Sequence, residues 1–88
     1  MKSRKKERST EELQKLIRSQ VAARIKAIRL AKGHTSSEKF AIKNDIDRSQ
    51  FGRYERGEID MQISSLVKIL KALDVHISDF FSEGFDDK

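Results

Sequence analysis

The side chains between Arg48 and Arg56 have the types and the spacing that reading a nucleic-acid base requires. Arginine donates two hydrogen bonds to guanine O6 and N7, and glutamine makes an equivalent bidentate pair with adenine. Phe51 and Tyr54 lie three residues apart, so in a helix they share one face and can point inward. On composition alone, the segment predicts either a DNA-reading helix or an ordinary surface helix with two arginines.

The distribution of charge points to a polyanionic partner. The 88 residues carry a net charge of +5. Residues 15–56 hold eleven lysines and arginines against four acids, a net +7, whereas residues 57–88 hold three against seven, a net −4. A basic middle segment favours nucleic acid first and an anionic membrane surface second, and it is also compatible with a solvated basic face.

The residue types argue against most catalytic and metal chemistry. There is no cysteine, and His34 and His76 are the only histidines. The apolar runs are far shorter than the ~20 residues that span a bilayer, and no apolar segment follows the basic N-terminus as a secretory signal requires. We therefore expect a cytoplasmic protein that is not an enzyme, with no metal, cofactor or small-molecule effector.

Patterning along the chain predicts one helical domain between two tails. Residues 1–9 are basic and nearly devoid of apolar side chains, which predicts a disordered tail. The domain is expected over 10–82, divided into a helical extension at 10–19 and a core at 20–82. Residues 83–88 form an acidic C-terminal tail.

The start of the first helix is marked by a capping box, because Ser9 is followed three residues later by Glu12. Gly33 marks its end. The pattern does not decide between one long helix and two helices with a break near Ser19. The apolar positions on the inner face are Leu13, Leu16, Ile17, Val21, Ile25 and Ile28.

Shorter helices separated by polar junctions follow. Asp47 is the expected N-cap of the segment 48–56, and Gly57 is its expected end. The remaining predictions are a helix at 36–43, a turn at 44–46, a loop at 58–62, a helix opening at Ser64 or Ser65, and a last turn at 78–81.

The segment Asp47–Gly57 closely resembles the recognition helix and following turn of the Cro/Xre family of helix-turn-helix DNA-binding proteins. The resemblance extends from Val21 to Phe81. It implies an all-α, compact bundle of about five short helices with lambda-repressor-like architecture, which often binds operator DNA as a dimer. Ala23–Gly33 is similar to the first helix of the family, Ser64–Val75 to the fourth and Ile77–Phe81 to the fifth.

The resemblance also implies roles for individual residues. Ser37 stands where the family usually has a glutamine that reaches phosphate or base. Arg29 and Glu55 match a partly buried ion pair that ties the first helix to the third. Base-reading positions are matched by Arg48, Ser49, Gln50 and Arg53, and with Ser37, Lys43 and Arg56 these form the expected DNA-binding set.

Several positions depart from the family pattern. Asn44 replaces a leucine-like core residue, and Asp45 replaces the usual turn glycine, so a looser or reshaped turn is expected. One residue, His34 or Thr35, is extra before the second helix. The loop 58–60 lacks the usual basic residues and proline, and its acids would repel a nearby phosphate.

Two functions remain after these considerations. The leading hypothesis is a sequence-specific DNA-binding transcriptional regulator, expected to be a repressor, that reads the major groove of double-stranded DNA with helix 48–56. The alternative is a protein-interaction module of the same fold, such as an antitoxin-like partner, which meets another chain through helix 10–19 or the 80–85 end. The apolar stripe of helix 10–19 either folds back on the core or pairs with a second protomer in a homodimer.

Overall fold

A computed structural model describes residues 9–86, and over this range the chain forms five α-helices and no strand. The prediction of an all-α bundle with a helix-turn-helix is confirmed. The predicted basic tail, except for Ser9, lies outside the described residues. The helices are α1 (Thr10–Ala31), α2 (Ser37–Lys43), α3 (Arg48–Glu55), α4 (Ile63–Leu73) and α5 (Ile77–Phe80).

The first helix is continuous over 22 residues, which settles the choice between one helix and two. Ser9 and Glu12 form the expected capping box: the Ser9 hydroxyl accepts from the Glu12 amide at 3.1 Å, and the Glu12 carboxylate accepts from the Ser9 amide at 3.0 Å. At the suspected break, the Ser19 hydroxyl donates to the Leu16 carbonyl at 2.8 Å. The extension at 10–19 is therefore part of the same helix as the start of the core.

Of the four shorter helices, α2 and α3 begin at side-chain caps, whereas α4 and α5 have no side-chain cap. Ser36 accepts from the Lys39 amide at 3.1 Å to open α2, and Asp47 accepts from the Gln50 amide at 2.8 Å to open α3. The start of α4 differs from the prediction. The Gln62 carbonyl already accepts the first helical hydrogen bond, so α4 begins at Ile63 and its two serines lie within the first turn.

The core draws side chains from all five helices. The Phe40 and Phe51 rings of α2 and α3 contact each other with centroids 5.4 Å apart, which packs the two helices of the helix-turn-helix together. Burial of these apolar surfaces is the main stabilising contribution to a domain of this size. The largest fully buried side chains are Ile25, Phe40, Phe51, Ile69, Leu73 and Phe80.

A buried ion pair connects α1 to the end of α3. Arg29 donates from Nε and Nη2 to the two carboxylate oxygens of Glu55 at 2.7 and 3.0 Å. The side chains are only 4% and 8% exposed, so the pair expected to be partly buried is deeply buried. Arg29 Nη1 also donates to the His34 carbonyl at 2.6 Å. One guanidinium thus joins α1, α3 and the connection before α2.

Residues 83–86 differ from the predicted acidic tail because they pack on the bundle. Phe85 is half-buried, and its ring lies 4.7 Å from that of Phe81 and 5.9 Å from that of Phe80 between centroids. Gln20 on α1 donates to the Asp86 carbonyl at 2.9 Å. Burial of the Phe85 ring removes apolar surface from water and so favours this packed position.

Candidate nucleic-acid interface

The third helix has one face in the core and one face in solvent. Phe51 is fully buried and Tyr54 is 5% exposed, and both pack against the neighbouring helices. The opposite face is open to solvent and carries a net positive charge. It presents the four residues predicted to read bases, all of them exposed: Arg48, Ser49, Gln50 and Arg53.

The turn before α3 keeps its tight form despite two unusual residues. Asp45 adopts a left-handed conformation with φ +60°, which glycine adopts most easily and aspartate tolerates better than most residues. Asn44 donates from its side-chain amide to the Phe40 carbonyl at 2.9 Å, and the Ile46 amide reaches the Ala41 carbonyl at 2.8 Å. Of the looser or reshaped turn expected from the sequence, the structure shows no loosening, because hydrogen bonds close the turn and both polar side chains suit its geometry.

A groove of about 480 Å³ separates the start of α2 from the outer face of α3. Glu38 forms an ion pair with Arg48 across it, at 2.5 Å from a carboxylate oxygen to Nη1. Both side chains are well exposed, at 58% and 62%. Sequence reasoning missed Glu38, because its partner lies ten residues away on a different helix. The lining residues are Ser37, Glu38, Arg48, Ser49, Gly52 and Arg56.

The groove brings four of the seven predicted DNA-binding residues together. Ser37 on α2 lines the groove together with Arg48, Ser49 and Arg56. Gln50 borders a separate depression between α3 and α4, and Lys43 borders one beside the start of α2. The predicted set therefore covers several neighbouring parts of the helix-turn-helix surface, with the groove at one of them.

Gly52 makes room for an arginine at the end of α3. A Cβ atom at this position would lie 3.1 Å from Arg56 Nη1, so the missing side chain is replaced by a guanidinium. Arg56 also pairs with Glu58, with Nε 2.8 Å from a carboxylate oxygen. This hydrogen bond lowers the pKa of Glu58 and raises the pKa of Arg56. The three nearest atoms to this Cβ position all belong to the Arg56 side chain, and none of them is a backbone atom.

The acidic loop after α3 is bound by basic side chains. Asp60 accepts from Arg18 at 3.0 Å and from Gln14 at 2.7 Å, and these two hydrogen bonds lower the pKa of its carboxyl group. Arg18 also donates to the Gly57 carbonyl at 3.2 Å. Gly57 has φ +68°, and a Cβ there would lie 3.4 Å from the Ser19 Cα. The loop is therefore fastened to α1, and each of its acids has a basic partner.

The apolar stripe of the α1 extension is covered only in part. Leu13 and Ile17 are 43% and 46% exposed. Ile17 also borders a cavity of about 350 Å³, which Ile59 and Met61 of the loop border from the other side. The α1 extension thus lies next to the loop 58–62 and still leaves an apolar strip exposed to solvent.

The described histidines and acids lie apart from one another or in ordinary packing contacts. His34 is half-buried and packs on Phe40 with ring centroids 5.0 Å apart, so it is less solvated than a loop residue usually is. Within residues 9–86, no cluster of three histidine, aspartate or glutamate side chains is placed to hold a metal ion. In the same range, no helix has both the length and the apolar content needed to cross a membrane.

Known proteins with similar sequences are control proteins. No family model matches the chain. It is 35% identical over 63 residues to control protein C.BamHI of Bacillus amyloliquefaciens, covering 72% of this chain and 78% of that protein. It is 32% identical over 60 residues to control protein C.MunI of a Mycoplasma species, covering 68% and 81%.

A solved structure has a similar fold. The crystal structure of the restriction-modification controller protein C.AhdI from Aeromonas hydrophila matches with a TM-score of 0.66 at 31% sequence identity. The match covers 74% of this chain and 97% of that one. Nearly the whole of the solved protein therefore has a counterpart here, whereas about a quarter of this chain has none there.

Proposed function

The chain belongs to the controller proteins, which are helix-turn-helix transcription regulators of the Cro/Xre type, and we propose that it reads its operator with the exposed face of α3. As a member it is a sequence-specific DNA-binding regulator. One similar protein is described as a restriction-modification controller, and we propose that this chain also controls the genes of a restriction-modification system, acting as a repressor.

The observation that carries this proposal is the division of α3 into two faces. Phe51 and Tyr54 anchor the helix in the core, so its outer face is held in a fixed orientation. A recognition helix enters the major groove with its N-terminal residues against the base edges. Arg48, Ser49 and Gln50 occupy that first turn, and Arg53 lies one turn further along the exposed surface.

The residues around α3 are proposed to contact the DNA backbone. Lys43 at the end of α2 and Arg56 after α3 are exposed and basic. Cations at these places would meet phosphates, which fix the register of a protein on the duplex without carrying sequence information. Ser37, at the edge of the groove, offers a hydroxyl to a phosphate or a base. We assign base reading to Arg48, Gln50 and Arg53. Ser49 lies beside them in the first turn of α3.

The proposed active form is a homodimer. Helix-turn-helix dimers read two half-sites about 34–36 Å apart, which matches the symmetry of an operator to that of the protein. The exposed Leu13 and Ile17 of the α1 extension offer an apolar strip for a second protomer. Occupation of an operator by such a dimer would block access of other proteins to the same DNA.

Selection of bound sequences from a random DNA pool tests the proposal directly. We expect the full-length protein to enrich one sequence with two related halves. The selected duplex should then bind at least ~10³-fold more tightly than a scrambled duplex of the same composition at a fixed salt concentration. Recovery of random sequences, with equal affinity for both duplexes, would contradict the proposal and favour an interaction module of the same fold.

A further inference from the structure

We propose that Glu38 is a specificity-determining residue, which orients the Arg48 guanidinium toward a base edge and reduces its attraction to phosphates. This inference rests on the proposed function, because it concerns how the α3 surface discriminates between sequences. Glu38 lies on α2, whereas Arg48 is the first residue of α3, so their ion pair spans the two helices of the helix-turn-helix.

The geometry of the pair leaves Arg48 able to bind a base. A guanidinium has five N–H donors, and Glu38 receives one hydrogen bond from it, at Nη1. Among the described residues the remaining donors have no hydrogen-bond partner, and guanine O6 and N7 require two donors. Both side chains are more than half exposed beside a groove of about 480 Å³, so they lie at the surface that the proposed function assigns to DNA.

The ion pair between Glu38 and Arg48 is not explained by a contribution to folding stability. Exposed ion pairs contribute little to folding because solvent screens them and side-chain entropy opposes them. The pair does restrict where the guanidinium of Arg48 lies, since α2 and α3 are packed together and hold its partner in place. Restricting the rotamers of a binding residue before association reduces the entropy that binding costs.

The charge of Glu38 also affects discrimination. Phosphates attract a lone arginine on every DNA sequence, which raises non-specific affinity. A carboxylate bound to the guanidinium repels phosphates, whereas a guanine edge still offers two acceptors to the free donors. Glu38 should therefore weaken non-specific binding more than operator binding.

The test compares four variants of the full-length protein: Glu38→Gln, Arg48→Ala, the double variant, and Glu58→Gln as a matched control. Glu58 forms a similar exposed pair with Arg56, so the control removes the same charge from the same kind of pair. Binding is measured to the selected operator, to its single-base variants and to scrambled DNA across a salt series. Thermal melts show whether each variant is folded.

We expect Glu38→Gln to lower the ratio of operator to scrambled affinity by about tenfold and to relax preference at the base position that Arg48→Ala also relaxes. The plot of log affinity against log salt concentration should become steeper for this variant by about one unit of slope, which corresponds to one additional phosphate contact. In the Arg48→Ala background, Glu38→Gln should leave base preference unchanged. Glu58→Gln should alter the salt dependence and keep the base preference.

Three outcomes would overturn the proposal. Equal effects of Glu38→Gln and Glu58→Gln would show that only net charge matters. An effect on base preference that persists without Arg48 would show that Glu38 contacts a base itself. Unchanged preference in Glu38→Gln would remove any role in discrimination. Failure of the proposed DNA-reading function can be distinguished from these outcomes, because the unaltered protein would then show no preference for any base.

Discussion

Arg29 and Glu55 are joined by two hydrogen bonds across 26 residues of sequence, and both side chains are more than nine-tenths buried. Bidentate arginine–carboxylate pairs are among the stronger polar contacts in proteins and fix the relative orientation of their elements. Here they fix the last residue of α3 to the last turns of α1. The recognition helix therefore has a polar attachment at its C-terminus in addition to its apolar anchors.

A double-mutant cycle measures the coupling of this pair. Arg29→Met and Glu55→Met should each lower the free energy of unfolding by about 3–5 kcal/mol, because each leaves a buried charge without its partner. The double variant should lose less than the sum of the two. Urea melts followed by circular dichroism give the three values. Strict additivity of the single losses would mean that the two residues do not interact in solution.

Arg53→Ala should relax sequence preference at one operator position. A base-reading arginine supplies about 1–3 kcal/mol of discrimination, so affinity for the operator should fall by more than affinity for scrambled DNA. Lys71→Ala, on the exposed side of α4, removes the same charge outside α3 and serves as the matched control. Equal loss on operator and scrambled DNA in Arg53→Ala would show that α3 is not the reading helix.

Deletion of residues 2–8 should weaken binding without changing sequence preference, unlike Arg53→Ala. The segment carries five lysines and arginines and one acid, so it is expected to meet phosphates. All sequences should bind more weakly by a similar factor, and the salt dependence should flatten by about one unit of slope for each phosphate that the protein no longer neutralises. A fall in the specificity ratio after this deletion would instead indicate that the tail reads the sequence.

The double substitution Leu13→Gln with Ile17→Gln tests the dimer strip on α1. Glutamine is a good helix former, so α1 should persist while the exposed apolar strip disappears. Light scattering should then give the mass of one chain where the unaltered protein gives two. Substitution is preferable to removing residues 1–18, because truncation would also take away Arg18 and its bond to the acidic loop.

Ile63→Gln with Val67→Gln provides the comparison for that experiment. These α4 residues are 75% and 57% exposed and form another exposed apolar pair at helical spacing within one helix. If only the double substitution on α4 dissociates the dimer, the dimer interface lies on α4. An unchanged mass in the α1 variant would contradict the role of the extension.

Asp60 should contribute to stability in a pH-dependent way. Hydrogen bonds from Arg18 and Gln14 lower the pKa of its carboxyl group in the folded protein. The pKa of an aspartate carboxyl group in the unfolded chain is about 4. Because the pKa of Asp60 is lower in the folded protein, the charged carboxylate stabilises the fold at pH values above about 4, and this stabilisation is lost as the pH falls through the pKa of the folded state. Urea midpoints of the protein and of Asp60→Asn should therefore differ at neutral pH and converge in acid.

Arg18→Gln gives the control for the pH experiment. It removes the largest cause of the lowered pKa of the Asp60 carboxyl group. The effect of Asp60→Asn on the urea midpoint at neutral pH should therefore be smaller when Arg18→Gln is also present. An effect that keeps its size at every pH, with or without Arg18, would show that Asp60 acts through its shape instead of its charge.

Local signals in the sequence predicted much of the framework. Ser9, Asp47 and Gly57 act within three residues of their partners or through their own backbone conformation, so short patterns were sufficient to find them. The break at Ser19 could not be decided in this way. A serine hydroxyl can bond to the helix that contains it or to a neighbouring backbone group, and only the folded chain shows which occurs.

Contacts between exposed side chains were the part that sequence could not supply. Glu38 and Arg48 are ten residues apart on different helices, and Arg18 and Asp60 are 42 residues apart. Each pair depends on how two elements are placed and on which rotamers their long side chains adopt. The buried pair of Arg29 and Glu55 was predicted from the family resemblance, because neither composition nor spacing indicates a partner 26 residues away.

Helix α3 is too short to be stable as an isolated peptide. It has eight residues with Gly52 in its middle, whereas isolated helices shorter than about 12–15 residues are marginal even in alanine-rich peptides. Its order therefore comes from the burial of Phe51 and Tyr54 and from the attachment of Glu55 to α1. Amide protons of α3 that are bonded within the helix should exchange with solvent only when the whole domain opens, so α3 and the core form one cooperative unit. A change anywhere in the core that lowers the free energy of that opening also increases the fraction of time for which no DNA sequence can be read.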